Sequence, residues 1–140
     1  MIKATRNQLS NTSNRYQTKT KRILAVCSAS LLRSPTIANV LHREYGFNTR
    51  ACGHNLEYAL IPISEALVYW ADEVVFADTE SYNAVVAMNN ITLKSKTCSI
   101  LNIPDEYDWN DPELRLIIRE NFMCRERFEH SPLCEGLTAM

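Results

Sequence analysis

Two periods of apolar spacing alternate along this chain. Residues 22–27 read Arg-Ile-Leu-Ala-Val-Cys, a short apolar run that predicts a strand buried on both faces. Over residues 36–45 the spacing changes, with Ile37, Ala38, Leu41 and Tyr45 on one stripe of an amphipathic helix. Gly46 stands where that helix's C-terminal cap belongs. A second strand is expected over 48–52, closed by Gly53, and a helix over 64–70, after Pro62. An apolar strand over 73–77, a helix over 79–88 opened by Asp78 or Thr79, and a strand over 97–101 follow. A polar loop spans 102–110, and the last helix begins at Asp111-Pro112 with Leu114, Ile117, Ile118 and Phe122 as its inner stripe. Alternation of this kind predicts an α/β fold: a three-layer sandwich in which helices cover both faces of a short parallel sheet of about four strands. The chain carries no internal repeat and no second domain.

Composition narrows the function classes. At 140 residues the chain is one domain, large enough to bury a core without staples. A formal net charge of -1 gives no argument for a nucleic-acid partner. No apolar run is long enough to span a membrane, and no apolar stretch near the start reads as a secretory signal. The five cysteines are odd in number and lack CxxC pairing, which fits free thiols in a reducing cytoplasm. His42, His54 and His130 form no metal-ligand pattern, Cys52-Gly-His54 being the nearest approach, so neither metal nor cofactor is expected. Residues 1–21 are basic, polar and free of acidic side chains, and they read as a mobile extension. A transit peptide would share that composition, but Ile2, Leu9 and Tyr16 are too sparse for its apolar face. The expected organisation is an extension over 1–21, an α/β domain over 22–128 and a loose tail over 129–140.

The candidate chemistry lies in the first turn. Residues 27–35 read Cys-Ser-Ala-Ser-Leu-Leu-Arg-Ser-Pro, between the first strand and the first helix. The backbone N–H groups of Ser28, Ala29, Ser30, Leu31 and Leu32 can line a nest for a tetrahedral oxyanion, and Arg33 adds a bidentate fork. Ser34 and Pro35 suit the N-cap and N1 positions of a helix whose positive end faces the same anion. A thiol in such a nest ionises easily and is a nucleophile, which makes Cys27 the candidate. The plainer alternative is a structural cysteine ending a core strand, with Arg33 solvated. Of the three glycines none lies in this turn, which excludes a dinucleotide fingerprint and a Walker loop.

A thiolate attacking phosphorus needs a proton donor for the departing oxygen. Loops at the carboxyl ends of parallel strands gather on one edge, where Cys27 already sits. Asp105, Glu106, Asp108 and Asp111 occupy such a loop. Asp111 before Pro112 reads better as a helix cap than as an acid. Asp105, stiffened by Ile103-Pro104, has no comparable duty and is the expected acid. Glu106 and Asp108 read as solvated loop charges.

With these residues in view, the segment from Ile23 to Pro35 resembles the signature loop of the low-molecular-weight protein tyrosine phosphatases: a first strand, Cys, five residues, Arg, Ser and Pro. The Leu-Arg-Ser-Pro-Thr and Ile-Pro-Asp wording is closer to a small branch of predicted tyrosine phosphatases within that family. Thr49-Arg-Ala-Cys-Gly53 lies where the family has a Ser-Ala-Gly-Thr turn, and residues 70–78 resemble its third strand with a following acidic residue, Asp78. Ile103-Pro-Asp-Glu-Tyr107 resembles its acid loop, with Asp105 on the catalytic aspartate and Tyr107 on a substrate-facing tyrosine. The resemblance covers residues 22–125. It implies a metal-independent two-step hydrolysis in which Cys27 forms a cysteinyl-phosphate, Asp105 acts first as acid and then as base, and the Ser34 hydroxyl hydrogen-bonds the thiolate. Ser30 stands where the family usually has asparagine, Leu32 where a second cysteine often sits, Glu106 in place of proline and Asp108 in place of a second aromatic. Trp109 either flanks a substrate or packs against the last helix.

Two other readings compete. An arsenate reductase resembles the same fold and loop but needs two further cysteines placed to pass a disulfide outward, and no closely spaced pair follows the third strand. A non-catalytic oxyanion-binding module would keep the loop, with no use for Asp105 as a proton donor. The expectation is a cytoplasmic, monomeric phosphatase that takes a phosphorylated protein or a small aryl phosphate, with no nucleic-acid or membrane partner.

Overall fold

The structure is a computed structural model that describes residues 21–28, 33–57 and 59–129. The 1–21 extension, all but its last residue, and the 129–140 tail beyond Glu129 lie outside the described residues, as do Ala29, Ser30, Leu31 and Leu32. Strand β1 (Arg22–Cys27) leads to helix α1 (Arg33–Tyr45), strand β2 (Asn48–Gly53), helix α2 (Glu65–Trp70) and strand β3 (Glu73–Phe76). Helix α3 (Thr79–Val86), strand β4 (Thr97–Ile100), helix α4 (Pro112–Met123) and strand β5 (Phe128–Glu129) complete the described chain. The sheet order is β2-β1-β3-β4-β5, with β1 to β4 parallel and β5 antiparallel to β4. This is the expected α/β sandwich.

The order creates the site. The chain crosses from β1 to β2 on one side and then returns to place β3 on the other side of β1. In parallel sheets such a reversal of strand order marks a switch point, here at the carboxyl end of β1, where folds of this kind form their ligand crevice. Cys27, the last residue of β1, stands at that crevice.

Side-chain alternation along β1 builds a core on each face of the sheet. Ile23, Ala25 and Cys27 face α1 and α4, packing with Ile37, Leu41, Leu114, Ile118 and Phe122. Leu24 and Val26 face the other way, toward Val68 of α2, Val85 of α3 and Phe76. Ile117, expected on the inner stripe of α4, is half-buried and packs at the margin of the first core.

The helix ends are chemically defined. Ser64 caps α2 by accepting from Leu67 N at 3.2 Å, and Asp111 caps α4 by accepting from Glu113 N at 2.8 Å with Pro112 beside it. Helix α1 closes at Gly46, whose φ of 76° suits the left-handed C-terminal cap and whose N–H donates to His42 O at 3.0 Å. One expectation fails at the start of α1. The helix opens at Arg33, so Ser34 lies inside its first turn and does not cap it.

The opposite edge of the sheet carries a buried ion cluster. The Glu73 side chain is fully buried at the start of β3 and binds Lys21 Nζ at 2.7 Å, Ser99 Oγ at 2.8 Å and Arg125 Nε at 2.8 Å. Burial opposes ionisation, but the hydrogen bonds from Arg125, Lys21 and Ser99 outweigh it and bring the carboxyl down to about 2. The cluster ties β1's approach, β3, β4 and the end of α4 together.

Candidate active site

Cys27 is buried, and its thiol donates to Ser34 Oγ at 3.1 Å. The Ser34 hydroxyl in turn donates to Cys52 O at 3.1 Å, across the β1–β2 pair. A hydroxyl rotates freely between donor and acceptor roles. If Cys27 loses its proton, Ser34 can turn and donate to the sulfur, losing only the bond to Cys52. Placing Ser34 inside the first turn of α1 is what brings its hydroxyl onto the sulfur.

Arg33 is held from three directions. It is 4% exposed, with Nη1 donating to Asp78 Oδ2 at 2.6 Å and to Ile103 O at 2.9 Å. Its Nε lies 3.5 Å from Asp105 Oδ1. The guanidinium thus joins the start of α1, the start of α3 and the loop after β4. Asp78 also caps α3, accepting from Ser81 N at 2.8 Å. Burial works against its ionisation, yet the bonds from Arg33 and Ser81 hold its carboxyl below the ordinary range.

Asp105 is largely exposed on its loop, 65% for the side chain, so it can reach both solvent and Arg33. The loop is anchored at each end. Ile103 N donates to Ala77 O at 2.7 Å, and Asn110 N donates to Thr36 Oγ1 at 2.9 Å. Asn102 and Asn110 take positive φ values of 56° and 61°, a conformation asparagine tolerates better than most residues. Tyr107 packs half-buried against the first core, and its hydroxyl pKa is raised by burial and by Glu113, Glu106 and Asp111. Trp109 is half-buried, and Glu106 and Asp108 are exposed. Asp111 serves as the helix cap described above.

The Cys27–Ser34 pair and the Arg33–Asp105 pair therefore lie side by side through the adjacent residues Arg33 and Ser34, with Ser28 next to Cys27 in the chain. The described part of the turn is pinned by β2's continuation: His54 N donates to Cys27 O at 2.9 Å, and Asn55 N donates to Ser28 O at 2.8 Å. The substrate-binding residues expected at Ala29, Ser30, Leu31 and Leu32 lie outside the described residues. Among the described residues no group of three His, Cys, Asp or Glu could hold a metal ion.

Two neighbours were not assigned to the site from sequence. Asp78 reads there as a helix cap, and only its place at the carboxyl end of β3 hints at the edge it shares with Cys27. His54 offers no signal beyond following β2. Cys52 also adjoins the site, but its thiol lies in the second core, where burial and then the nearby Cys27 raise its pKa well above the ordinary value.

No family model matches the sequence, and no curated protein matches it. Among solved structures, the chain is similar to the tyrosine phosphatase Wzb from Escherichia coli K30, solved in complex with phosphate. The TM-score is 0.57 at 13% sequence identity, over 75% of this chain and 95% of that one. The likeness is one of fold. Among the described residues no helix is long and apolar enough to cross a membrane.

Proposed function

We propose that the chain is a cysteine-dependent phosphomonoester hydrolase of the low-molecular-weight tyrosine phosphatase type, acting on phosphotyrosine or other aryl phosphates. The observation that carries this reading is the convergence of the Cys27 thiol, hydrogen-bonded to Ser34, with an Arg33 guanidinium 3.5 Å from Asp105. The fold shared with Wzb, whose structure holds phosphate, supports it. In the first step the Cys27 thiolate bonds to phosphorus as the P–O bond to the leaving group breaks, and protonated Asp105 gives its proton to the departing phenolate. In the second step Asp105 takes a proton from water, the water oxygen bonds to phosphorus, and the S–P bond breaks to release phosphate and the thiolate. Arg33 and the loop amides carry the equatorial oxygens, stabilising the spread charge of the transition state. The Ser34 hydroxyl, 3.1 Å from the sulfur, is placed to donate to the thiolate before the S–P bond forms and again as it breaks.

The 22–128 segment carries this activity in the reading proposed, as a monomer in the cytoplasm. A disulfide relay of the arsenate-reducing kind finds little support, since Cys52 and Cys98 are both sealed in the second core. The test is aryl phosphate hydrolysis in EDTA by the wild type, Cys27→Ser and Asp105→Asn. Turnover is expected to vanish in the first and to fall roughly 10²- to 10⁴-fold in the second. Binding of phosphate or vanadate without turnover by the wild type would instead make the chain an oxyanion-binding module.

A further inference from the structure

One titratable group at the crevice has no task in the reaction just described. His54 follows β2 directly, and the bond from its N–H to Cys27 O, 2.9 Å, fixes its backbone beside the nucleophile. Its Nε2 is sealed from solvent and makes no hydrogen bond. A buried polar atom without a partner calls for an explanation in the working state of the protein. The charges that act on the ring are Asp78, the cap of α3, Glu80 in its first turn and Arg33 of α1. Burial, with Arg33, keeps the imidazole neutral to lower pH than an ordinary histidine, while Asp78 and Glu80 pull the other way.

An oxyanion on Arg33 shifts that balance. It neutralises Arg33, whose charge opposes protonation of the ring, and it adds negative charge to that of Asp78 and Glu80. We propose that His54 takes up a proton when a tetrahedral dianion binds, so that its imidazolium becomes a second, pH-gated positive charge of the oxyanion site. The proposal rests on the reading of Cys27 and Arg33 as an oxyanion cradle. Linkage is reciprocal: if the anion favours the proton, the proton favours the anion, and affinity rises as pH falls through the titration of His54.

Sulfate is the suitable probe, because it stays a dianion where phosphate titrates. In full-length Cys27→Ser/Asp105→Asn protein, which removes the thiol and the acid as competing proton sites, sulfate affinity is measured between about pH 7.5 and 5.5. It is expected to rise about fivefold or more towards the lower pH. Adding His54→Gln should flatten that dependence, and the imidazole resonances of His54 should titrate at higher pH with sulfate than without it. An unchanged pH dependence in the His54→Gln protein, or a ring that titrates identically with and without sulfate, overturns the proposal. Should His54→Gln fail to fold, the resonance titration decides alone. Absence of sulfate binding at every pH would overturn the oxyanion cradle itself, whereas binding with a silent His54 overturns only this inference.

Discussion

A guanidinium is useful to a phosphoryl group only if its plane is already set before the anion arrives. In this chain Asp78 sets it, through a 2.6 Å bond to Arg33, while the same carboxylate's other oxygen caps α3. The two duties can be separated. Asparagine keeps the cap, since its side-chain oxygen accepts as well as aspartate's at that position, but it removes the charge that orients Arg33. Asp78→Asn should therefore lower kcat for an aryl phosphate by roughly 10- to 100-fold, the worth of one charge-assisted hydrogen bond, with only a small change in thermal midpoint. A variant with full kcat, or one that loses activity only in proportion to stability, would show that Asp78 merely caps. The residues to which the proposed function gives the chemistry, Cys27, Arg33 and Asp105, are legible in the sequence because their spacing has few other uses. Asp78 is not, because Asp at a helix start already has a complete explanation.

Helix α1 serves the site from its first turn and is closed at its far end by Gly46. Nothing lies within 4 Å of where a Cβ would stand on Gly46, so an alanine there meets no clash. The cost of Gly46→Ala comes from the φ of 76° alone, about 1–2 kcal/mol of stability by chemical denaturation. Activity per folded molecule should be unchanged, because the site lies at the other end of the helix. If the loss is negligible, the cap does not need its left-handed residue. The period of apolar positions located α1 and α4, and start signals placed α2 and α3, but neither showed where α1 begins. Serine before proline is a good cap in isolation. Here the serine is drawn inside the helix, and its hydroxyl is used by the sulfur and by Cys52 O.

On the scale of the whole molecule the two ends of the sheet have different work. The carboxyl edge holds the crevice, and the amino edge holds Glu73 with Lys21, Ser99 and Arg125. Because the folded-state carboxyl of Glu73 titrates at about 2, below its ordinary 4.5, the cluster stabilises the fold fully above the ordinary value. That contribution is lost as pH falls from about 4.5 to about 2. Glu73→Gln should cost on the order of 3 kcal/mol near neutral pH, since it leaves Arg125 and Lys21 facing an uncharged amide. It should also flatten the acid limb of a stability–pH curve while leaving aryl phosphate turnover unchanged. An acid limb of the same steepness in the variant would place acid lability elsewhere, for instance at Asp72 or Asp78, whose carboxyls are also depressed.

By itself the sequence determined the alternation of strands and helices, the parallel sheet, and the order of Cys27, Arg33 and Asp105 along the chain. Those properties follow from local spacing, which is written in neighbouring residues. The tertiary structure alone decided what meets whom: β3 returning beside β1 puts Asp78 on Arg33, and β2 running on past Gly53 puts His54 against Cys27. The antiparallel β5 and the sealed Glu73 cluster belong to the same class. Each joins residues from separate elements, and the pairing depends on which strand lies next to which, a choice no local period records.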